Sequence, residues 1–510
     1  MSEAPRRTGS SSLRWELFAN LAGTGWGAAV QILCIPVYVA LLGVERYALI
    51  AFATSLLLSL KALDLGLSHT INRELAHRTV SASDAAGTRE FVRTVESLYG
   101  VLGLLLGVTL AMAAPVIATR WFGASALGTA AVAQAVHLIA VLVAVQWPLS
   151  LYQGALLGLR RTAAMNGAAI ASATLSGGGA LVLLYWGNRS LATYFTWQIV
   201  VSGAHTLGVA LLVHRALPVT ARPARLRLAL ITEVRTTMLY VGGLTLSMLL
   251  LLQADKLLAS RWLTLDAYGS YMLGAAIASG LAVLGIPVFA TLLPRLSALA
   301  ARGDRQAMRV EFLRGTQLVT ILVFPTMLAC ALLSRDLLEL WTHDAALALA
   351  AAPAATALLV GTGVASLLQL TIALQLATRS TRTGTSINVI LLLLLIPLGV
   401  LAASRGAAGV ATVWCALVAL GAFGGGALVY RRCLGAGAAH WLAVTIGRPL
   451  GAILLVAALA RPILIMPLAL PLAALRLVLF VGGLSALAAV ASGLWQPMLH
   501  VIRRPVAPRR

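Results

Sequence analysis

The chain reads as an all-α integral membrane protein of about fourteen transmembrane helices: two parallel six-helix repeats followed by two extra C-terminal helices. Three observations lead there. Of the 510 residues, 60% are hydrophobic and 11% charged, with a mean hydropathy of +0.92; soluble domains are roughly 45–50% apolar and about 25% charged. Apolar runs long enough to cross a bilayer core of about 30 Å at about 1.5 Å per residue recur from end to end. The two halves also resemble each other at an offset of 222 residues. This composition excludes soluble, disordered, collagen-like and disulfide-stapled classes.

The predicted spans are 17–42, 47–71, 95–118, 129–152, 163–185, 193–214, 237–260, 268–293, 315–335, 345–372, 385–403, 406–430, 441–460 and 474–496. The first follows Arg6, Arg7 and Arg14; it is too long for a signal-peptide core and lacks a clean cleavage site, so it reads as a retained helix. Its GTGWG run at Gly23–Gly27 suits close packing or a hinge rather than phosphate binding, and Pro36 marks a kink. The second span places Lys61 and Asp64 at i, i+3 on one face, either as a structural pair or facing a cavity. His137 and His205, alone within their spans, read as packing residues rather than proton relays.

Between the sixth and seventh spans, RPARLRLALITEVR mixes basic and apolar positions and reads as an amphipathic linker on the cytoplasmic surface. The seventh span carries Asp255 and Lys256. Neighbours on a helix point about 100° apart, so the pair should satisfy each other poorly and at least one should face water or a partner; snorkelling of Asp255 to the nearby outer end is the alternative. The last two spans are interrupted by Arg448, Arg461 and prolines. Trp15, Trp121, Trp186, Trp262, Trp341 and Trp441 fall near span ends, where interface anchors sit. The expected organisation is a six-helix bundle at 1–214, a linker at 215–236, a second bundle at 237–432, and two helices with a basic cytoplasmic tail at 433–510.

A net charge of +22 and a pI near 11.3 invite a nucleic-acid reading, which the distribution of charge excludes. All but two of the 38 basic residues are arginine, and they concentrate in alternate loops. One face would carry the N-terminus, Arg73–Arg93, Arg160–Arg161, Arg215–Arg235, Arg295–Arg314, Arg379–Arg382, Arg431–Arg432 and the tail. The other has one arginine per loop, such as Arg46, Arg120 and Arg189. The positive-inside rule then puts both termini in the cytoplasm, and anionic lipid would be attracted to that face.

The repeat rests on scattered identities. Gln31 matches Gln253, Arg73 matches Arg295, and Gln153, Arg160 and Asn166 match Gln375, Arg382 and Asn388, all at one offset; Tyr47 matches Tyr268 with a one-residue slip. A repeat of six spans gives both halves one orientation, and parallel repeats of this kind place substrate sites at their interface in transporters. Lys61 maps onto Val283 and Asp255 onto Leu33, so each charge exists in one half only, which points to function.

Energising and catalytic motifs are missing. Lys61 and Lys256 precede Ala62 and Leu257, so neither belongs to a P-loop, and there is no HExxH or GxSxG. Cys34, Cys330, Cys415 and Cys433 form no CxxC pair and read as small buried hydrophobes.

LFANLAGTGWG with Asn20, PVYVALLGVERYALIAFATS followed by LDLGLSHTINRELA, YQGALLGLRRTAAMN, and DKLLASRWLTLDAYGSY together resemble the multidrug/oligosaccharidyl-lipid/polysaccharide exporter superfamily. Within it they resemble the Wzx-type O-antigen and polysaccharide flippases. The resemblance implies two bundles around a central hydrophilic cleft in a bacterial inner membrane. It also implies a non-enzymatic flippase that moves an undecaprenyl-pyrophosphate-linked oligosaccharide to the periplasmic leaflet. No cofactor is expected beyond a coupling H+ or Na+. The expected partners are that lipid-linked saccharide, membrane lipids, a polysaccharide polymerase and a chain-length regulator. On this basis Lys61, Lys256, Gln31, Gln253 and Asn20 are cleft candidates for the substrate, Asp64 and Asp255 candidates for ion coupling, and Arg73, Arg160, Arg295 and Arg382 candidates for a cytoplasmic gate. A cation-coupled drug antiporter, a lipid II flippase and a membrane glycan polymerase are the rival readings.

Overall fold

The computed structural model describes residues 10–64, 67–81, 85–122, 127–218, 220, 226, 229–435, 437–455, 480–488 and 490. Every element among them is helical, as the hydropathy requires: α1 (Ser10–Leu42), α2 (Val44–Lys61), α3 (Leu67–Ser81), α4 (Ala85–Val116), α5 (Thr129–Gln146), α6 (Leu149–Gly158), α7 (Thr162–Thr174), α8 (Ala180–Trp186), α9 (Leu191–Ala216), α10 (Ala229–Trp262), α11 (Leu265–Ala282), α12 (Ile286–Ala301), α13 (Arg305–Leu332), α14 (Ser334–Thr342), α15 (Ala345–Ala377), α16 (Arg382–Ala403), α17 (Gly406–Leu420), α18 (Gly426–Leu434) and α19 (Ala438–Leu442).

Eleven stretches of the described residues are long and apolar enough to cross a membrane, and each coincides with a predicted span. The three predicted spans outside that count have specific reasons. The second is cut at Lys61 by a 3-10 turn, Ala62–Asp64, and its helix carries Glu45, Arg46 and Lys61 at its ends. The seventh is helical throughout, but most of its first half lies outside the residues whose side chains are described. Most of the fourteenth also lies outside the described residues, and the predicted linker runs into α10, which begins at Ala229.

The chain forms two compact units, Met1–Leu249 with Thr264–Gly269, and Leu250–Leu263 with Ser270–Arg510. In the first, α3, α4, α6 and α9 share a core built from Ile71, Leu75, Phe91, Tyr99, Leu151, Leu156 and Val213. α6 lies directly on the backbone of α3. A Cβ on Gly158 would sit 2.5 Å from the Asn72 carbonyl oxygen, and one on Gly154 would overlap the Ser68 carbonyl oxygen. These two glycines, four residues apart on one face, let the helices touch backbone to backbone.

In the second unit α15 is the central element, packed by α12, α13, α14 and α17. Its mostly apolar sequence has no polar side, as suits a helix packed by neighbours all round. Gly274 of α11 meets the Ala355 backbone, where a Cβ would approach the Ala355 Cα to 2.8 Å. Gln375 is buried at the end of α15 and accepts from the Gly384 N–H at 2.9 Å, tying α16 to it. Trp441 corrects an expectation. It is fully buried rather than anchored at an interface, stacked on Tyr430 with centroids 5.5 Å apart and donating to Thr316 Oγ1 at 3.3 Å.

The units repeat each other's local geometry. Each has an 18-residue helix ended by a three-residue 3-10 turn, α2 with Ala62–Asp64 and α11 with Val283–Gly285. Each also has a non-glycine residue in the left-handed region at the end of a long apolar stretch: Arg160 at φ 56° and Arg379 at φ 53°. Arg161 N–H donates to Leu156 O at 2.8 Å and Ser380 N–H to Gln375 O at 2.9 Å, so the two turns close in the same way. The geometric counterpart of Arg160 is therefore Arg379, three residues before the Arg382 of the sequence match.

Candidate functional site

The first unit has an open-sided cavity of about 480 Å³ whose lining mixes polar and apolar residues. Each wall is one face of an apolar helix carrying polar residues at helical spacing. α1 supplies Gln31, Cys34 and Tyr38; α2 supplies Thr54, Leu57 and Lys61; α9 supplies Tyr194, Gln198, Ser202 and His205. Gln146 and Gln153, from α5 and α6, complete the lining with the serines of α7 and the turn after it.

Among the described residues Lys61 is the cavity's one cation, and no aspartate or glutamate lines it. As the last residue of α2, the lysine sits where the helix dipole favours a positive charge. It is exposed, and among the described residues it makes no hydrogen bond or ion pair.

The polar wall contributed by α7 depends on a π turn, Leu175–Gly179 (LSGGG), between α7 and α8. A π turn breaks the i→i−4 ladder, so its carbonyls look for other donors. Trp197 Nε1 donates to Leu175 O at 2.8 Å, Gln198 Nε2 to Ser176 O at 3.1 Å and Tyr38 OH to Gly177 O at 3.1 Å. Ser176 Oγ in turn donates to Gln198 Oε1 at 2.5 Å. Three side chains from α1 and α9 thereby fix the wall, and Gln198 is tied to it.

Asp64 does not share the cavity with Lys61. The 3-10 turn carries its carboxylate into the core, where it accepts from Tyr99 OH, and from Ser68 through its backbone N–H at 3.2 Å and its hydroxyl at 2.5 Å. The carboxylate is thus a cap on α3 and a tie to α4.

Asp255 and Lys256 belong to the second unit. Asp255 is fully buried and accepts from Tyr271 OH at 2.5 Å. Lys256 Nζ reaches both Asp255 oxygens, at 3.1 and 3.2 Å, as well as Leu252 O at 3.0 Å, and lies 5.3 Å from the centre of the Trp414 ring. The two neighbours satisfy each other after all. The lysine stem is long enough to fold back along the helix toward its N-terminus and cancel the 100° separation. Breaking a buried pair on one side leaves the other charge uncompensated, at about 3–5 kcal/mol. Asp255→Ala is therefore expected to lower the thermal midpoint of the detergent-solubilised protein markedly, and adding Lys256→Met to recover most of the loss. An unchanged midpoint in the single variant would show that the pair contributes nothing to the fold.

The remaining candidates are dispersed. Gln31 lines the cavity with Lys61; Gln253 is in α10 of the second unit, its Oε1 buried without a hydrogen-bond partner among the described residues. The side chain of Asn20 lies outside the described residues. Arg73, Arg160, Arg295 and Arg382 are all exposed, and Arg295 approaches Glu311 at 3.6 Å. His205, expected to pack, lines the cavity. Tyr194, Gln198, Ser202 and His205 fall at i, i+4, i+8 and i+11, a polar stripe visible in the sequence once the helical period is applied to α9. A further cluster was not apparent beforehand: Glu96 accepts from Tyr152 OH at 2.5 Å and contacts His214 at 3.1 Å, joining α4, α6 and α9.

No family model matches the chain, and no curated protein matches it in sequence. Solved structures do share its fold. The lipid II flippase MurJ in an inward closed conformation matches with a TM-score of 0.69 and 10% identity, over 95% of this chain and 99% of that one. A multidrug resistance MATE family transporter of the MOP superfamily, facing inward, matches with a TM-score of 0.64 and 14% identity, over 80% and 95%. A MOP superfamily transporter from Pyrococcus furiosus, described as having a binding pocket of reversed polarity, matches with a TM-score of 0.54 and 17% identity, over 82% and 96%. The chain is a multi-pass membrane protein with the fold of these MOP superfamily transporters.

Proposed function

We propose that this chain is a flippase that carries an undecaprenyl-pyrophosphate-linked oligosaccharide repeat unit from the cytoplasmic to the periplasmic leaflet of a bacterial inner membrane by alternating access. The observation that supports this reading is the charge of the first unit's cavity: one lysine, without a partner among the described residues, beside glutamines, serines, tyrosines and apolar side chains, and no carboxylate among the described lining residues. A pyrophosphate linked to sugars is anionic at one end and rich in hydroxyls beyond it, and such a headgroup cannot cross hydrocarbon unaided. Lys61 would attract the phosphates, and the amides of Gln31, Gln146 and Gln153 would replace water around the sugar. A cationic drug would meet repulsion at Lys61 and nothing in the lining to neutralise it, which argues against the antiporter reading.

Coupling to H+ or Na+ falls in this reading to Asp64 or Asp255. Both carboxylates already have donors, so uptake of a cation at Asp255 requires the Lys256 contact to open, and uptake at Asp64 requires Tyr99 or Ser68 to let go.

Deletion of the gene followed by mass spectrometry of undecaprenyl-linked saccharides in membrane extracts tests the proposal. One complete repeat unit is expected to accumulate on the carrier, naming the glycan at the same time. Accumulation of lipid II with loss of viability would reassign the chain to peptidoglycan precursors. Normal surface glycan with altered drug tolerance would replace the flippase with the antiporter, and incomplete polymer from units already outside would point to a polymerase.

A further inference from the structure

A second cavity, of about 670 Å³, lies wholly within the second unit, where the ends of α12, α15 and α18 meet the start of α13. Arg305, Arg379 and Arg432 line it, with Ser297, Thr378 and Ser380 between them and no carboxylate among the described lining residues. All three arginines are exposed.

Ordinary helix electrostatics explains only part of this arrangement. Arg379 and Arg432 sit at the C-terminal ends of α15 and α18, where the helix dipole welcomes a cation. Arg305 is the first residue of α13, where the dipole opposes a cation, and the first turn of that helix contains no acidic residue. Asp304, next to Arg305 in the chain, caps α13 by accepting from Ala307 N–H at 2.9 Å, and Glu311 faces Arg295 at 3.6 Å; neither lines the cavity. Arg432 is oriented by a hydrogen bond to Thr383 Oγ1 at 2.8 Å, which uses one of its five donors. Arg379 holds a left-handed backbone that costs a non-glycine residue energy.

The repeat does not demand the trio either. At the offset that aligns Arg160 with Arg379, the first unit has Ala86 and Val213 where the second has Arg305 and Arg432. The bias of arginine toward this face accounts for their number, but not for three of them lining one cavity that has no carboxylate in its described lining.

We infer that this cavity binds a phosphate group, held by Arg305, Arg379 and Arg432 with the hydroxyl of Ser380; the hydroxyls of Ser297 and Thr378 already donate to Leu293 O and Leu374 O at 2.8 Å. Guanidinium forks match the oxygens of a phosphate two at a time, and the Ser380 hydroxyl supplies a single donor beside them. The phosphate belongs either to the headgroup of an anionic phospholipid or to a soluble phosphate compound.

The cavity contains its own reporter. Cys433 is a free, half-buried thiol in the lining, 3.4 Å from Thr378 Oγ1. Its rate of maleimide labelling is to be measured on the full chain in neutral detergent micelles. Peptide mapping separates it from Cys34, Cys330 and Cys415. Phosphatidylglycerol added to the micelles is expected to slow Cys433 labelling at least fivefold, and phosphatidylcholine to leave it unchanged. Protection by phosphatidylglycerol alone identifies a lipid headgroup as the source; protection by inorganic pyrophosphate as well identifies the phosphate group itself, open to soluble ligands. Arg305→Gln should raise the half-protecting concentration about tenfold, the value of one charge-assisted contact. Arg302→Gln, an exposed arginine outside the lining, should leave it in place. Failure of both phosphatidylglycerol and pyrophosphate to protect wild-type Cys433, or an equal loss in Arg302→Gln, overturns the assignment.

Discussion

Lys61→Ala is expected to abolish export of the lipid-linked saccharide while leaving the abundance and thermal midpoint of the protein unchanged. These two outcomes rarely go together for an intramembrane charge. Such residues are usually paired, and removing one partner strands the other. Lys61 strands nothing, because it has no partner among the described residues and its ammonium faces the cavity. Losing a charge-assisted contact to phosphate is worth about 1.5–3 kcal/mol, a factor of about ten to a hundred in rate or affinity. Lys61→Arg should retain part of the activity, because the charge survives while the shape does not. Accumulated undecaprenyl-linked saccharide and lost surface polymer are the readouts. Export at more than half the wild-type rate in Lys61→Ala would remove this residue from the mechanism, and a falling midpoint would recast it as structural.

A loss of comparable size but opposite origin is expected from Gly154→Val and Gly158→Val. Valine suits a helix no worse than glycine does, so local propensity predicts little change. The obstacle is the backbone of α3. Cβ atoms at these positions run into the carbonyl oxygens of Ser68 and Asn72, which cannot rotate away as a flexible side chain would. Overpacking of this kind typically costs about 1–3 kcal/mol, and more where the neighbour is rigid. Folded protein recovered by size-exclusion chromatography in detergent should fall more than tenfold. Gly167→Val in α7 and Gly208→Val in α9 supply the control, since a Cβ at either position would meet no heavy atom within 4 Å. Equal losses at all four positions would mean that helical glycines matter here for some reason other than the α3–α6 contact.

What the sequence revealed and what it concealed divide along physical lines. Hydropathy made the spans legible because burying apolar surface is a property of each segment by itself. The break after Lys61 was not legible: nothing in SLLLSLKALDLGLSH distinguishes a continuous helix from one that turns at Ala62. Yet that turn decides that Lys61 meets the cavity and Asp64 the core. Asp64 finds Tyr99, 35 residues away, and such a partner emerges only when α4 is in place. Lys256 departs from expectation for another reason: the directions of Cβ atoms hold neighbours apart, but the reach of a four-carbon stem brings Nζ back to the Asp255 carboxylate. Trp441 looked like an interface residue by its position in the chain and proved to be core by its neighbours. The repeat was visible, but in a register three residues away from the one that the turns at Arg160 and Arg379 define.

The π turn at Leu175–Gly179 amounts to one surplus residue accommodated inside a helix. Removing a single glycine from it would restore regular α-helix and, at 3.6 residues per turn, rotate everything beyond by about 100°. Ala180 and Leu184, now fully buried, would swing toward the outside, and Tyr185 and Trp186, now exposed, would be carried round with them. The same deletion would withdraw the carbonyls that Tyr38, Trp197 and Gln198 now hold. The length of this segment is therefore under tighter control than its composition: a methyl group more or less elsewhere is a matter of degree, whereas one residue more or less here exchanges the inside of the helix for its outside.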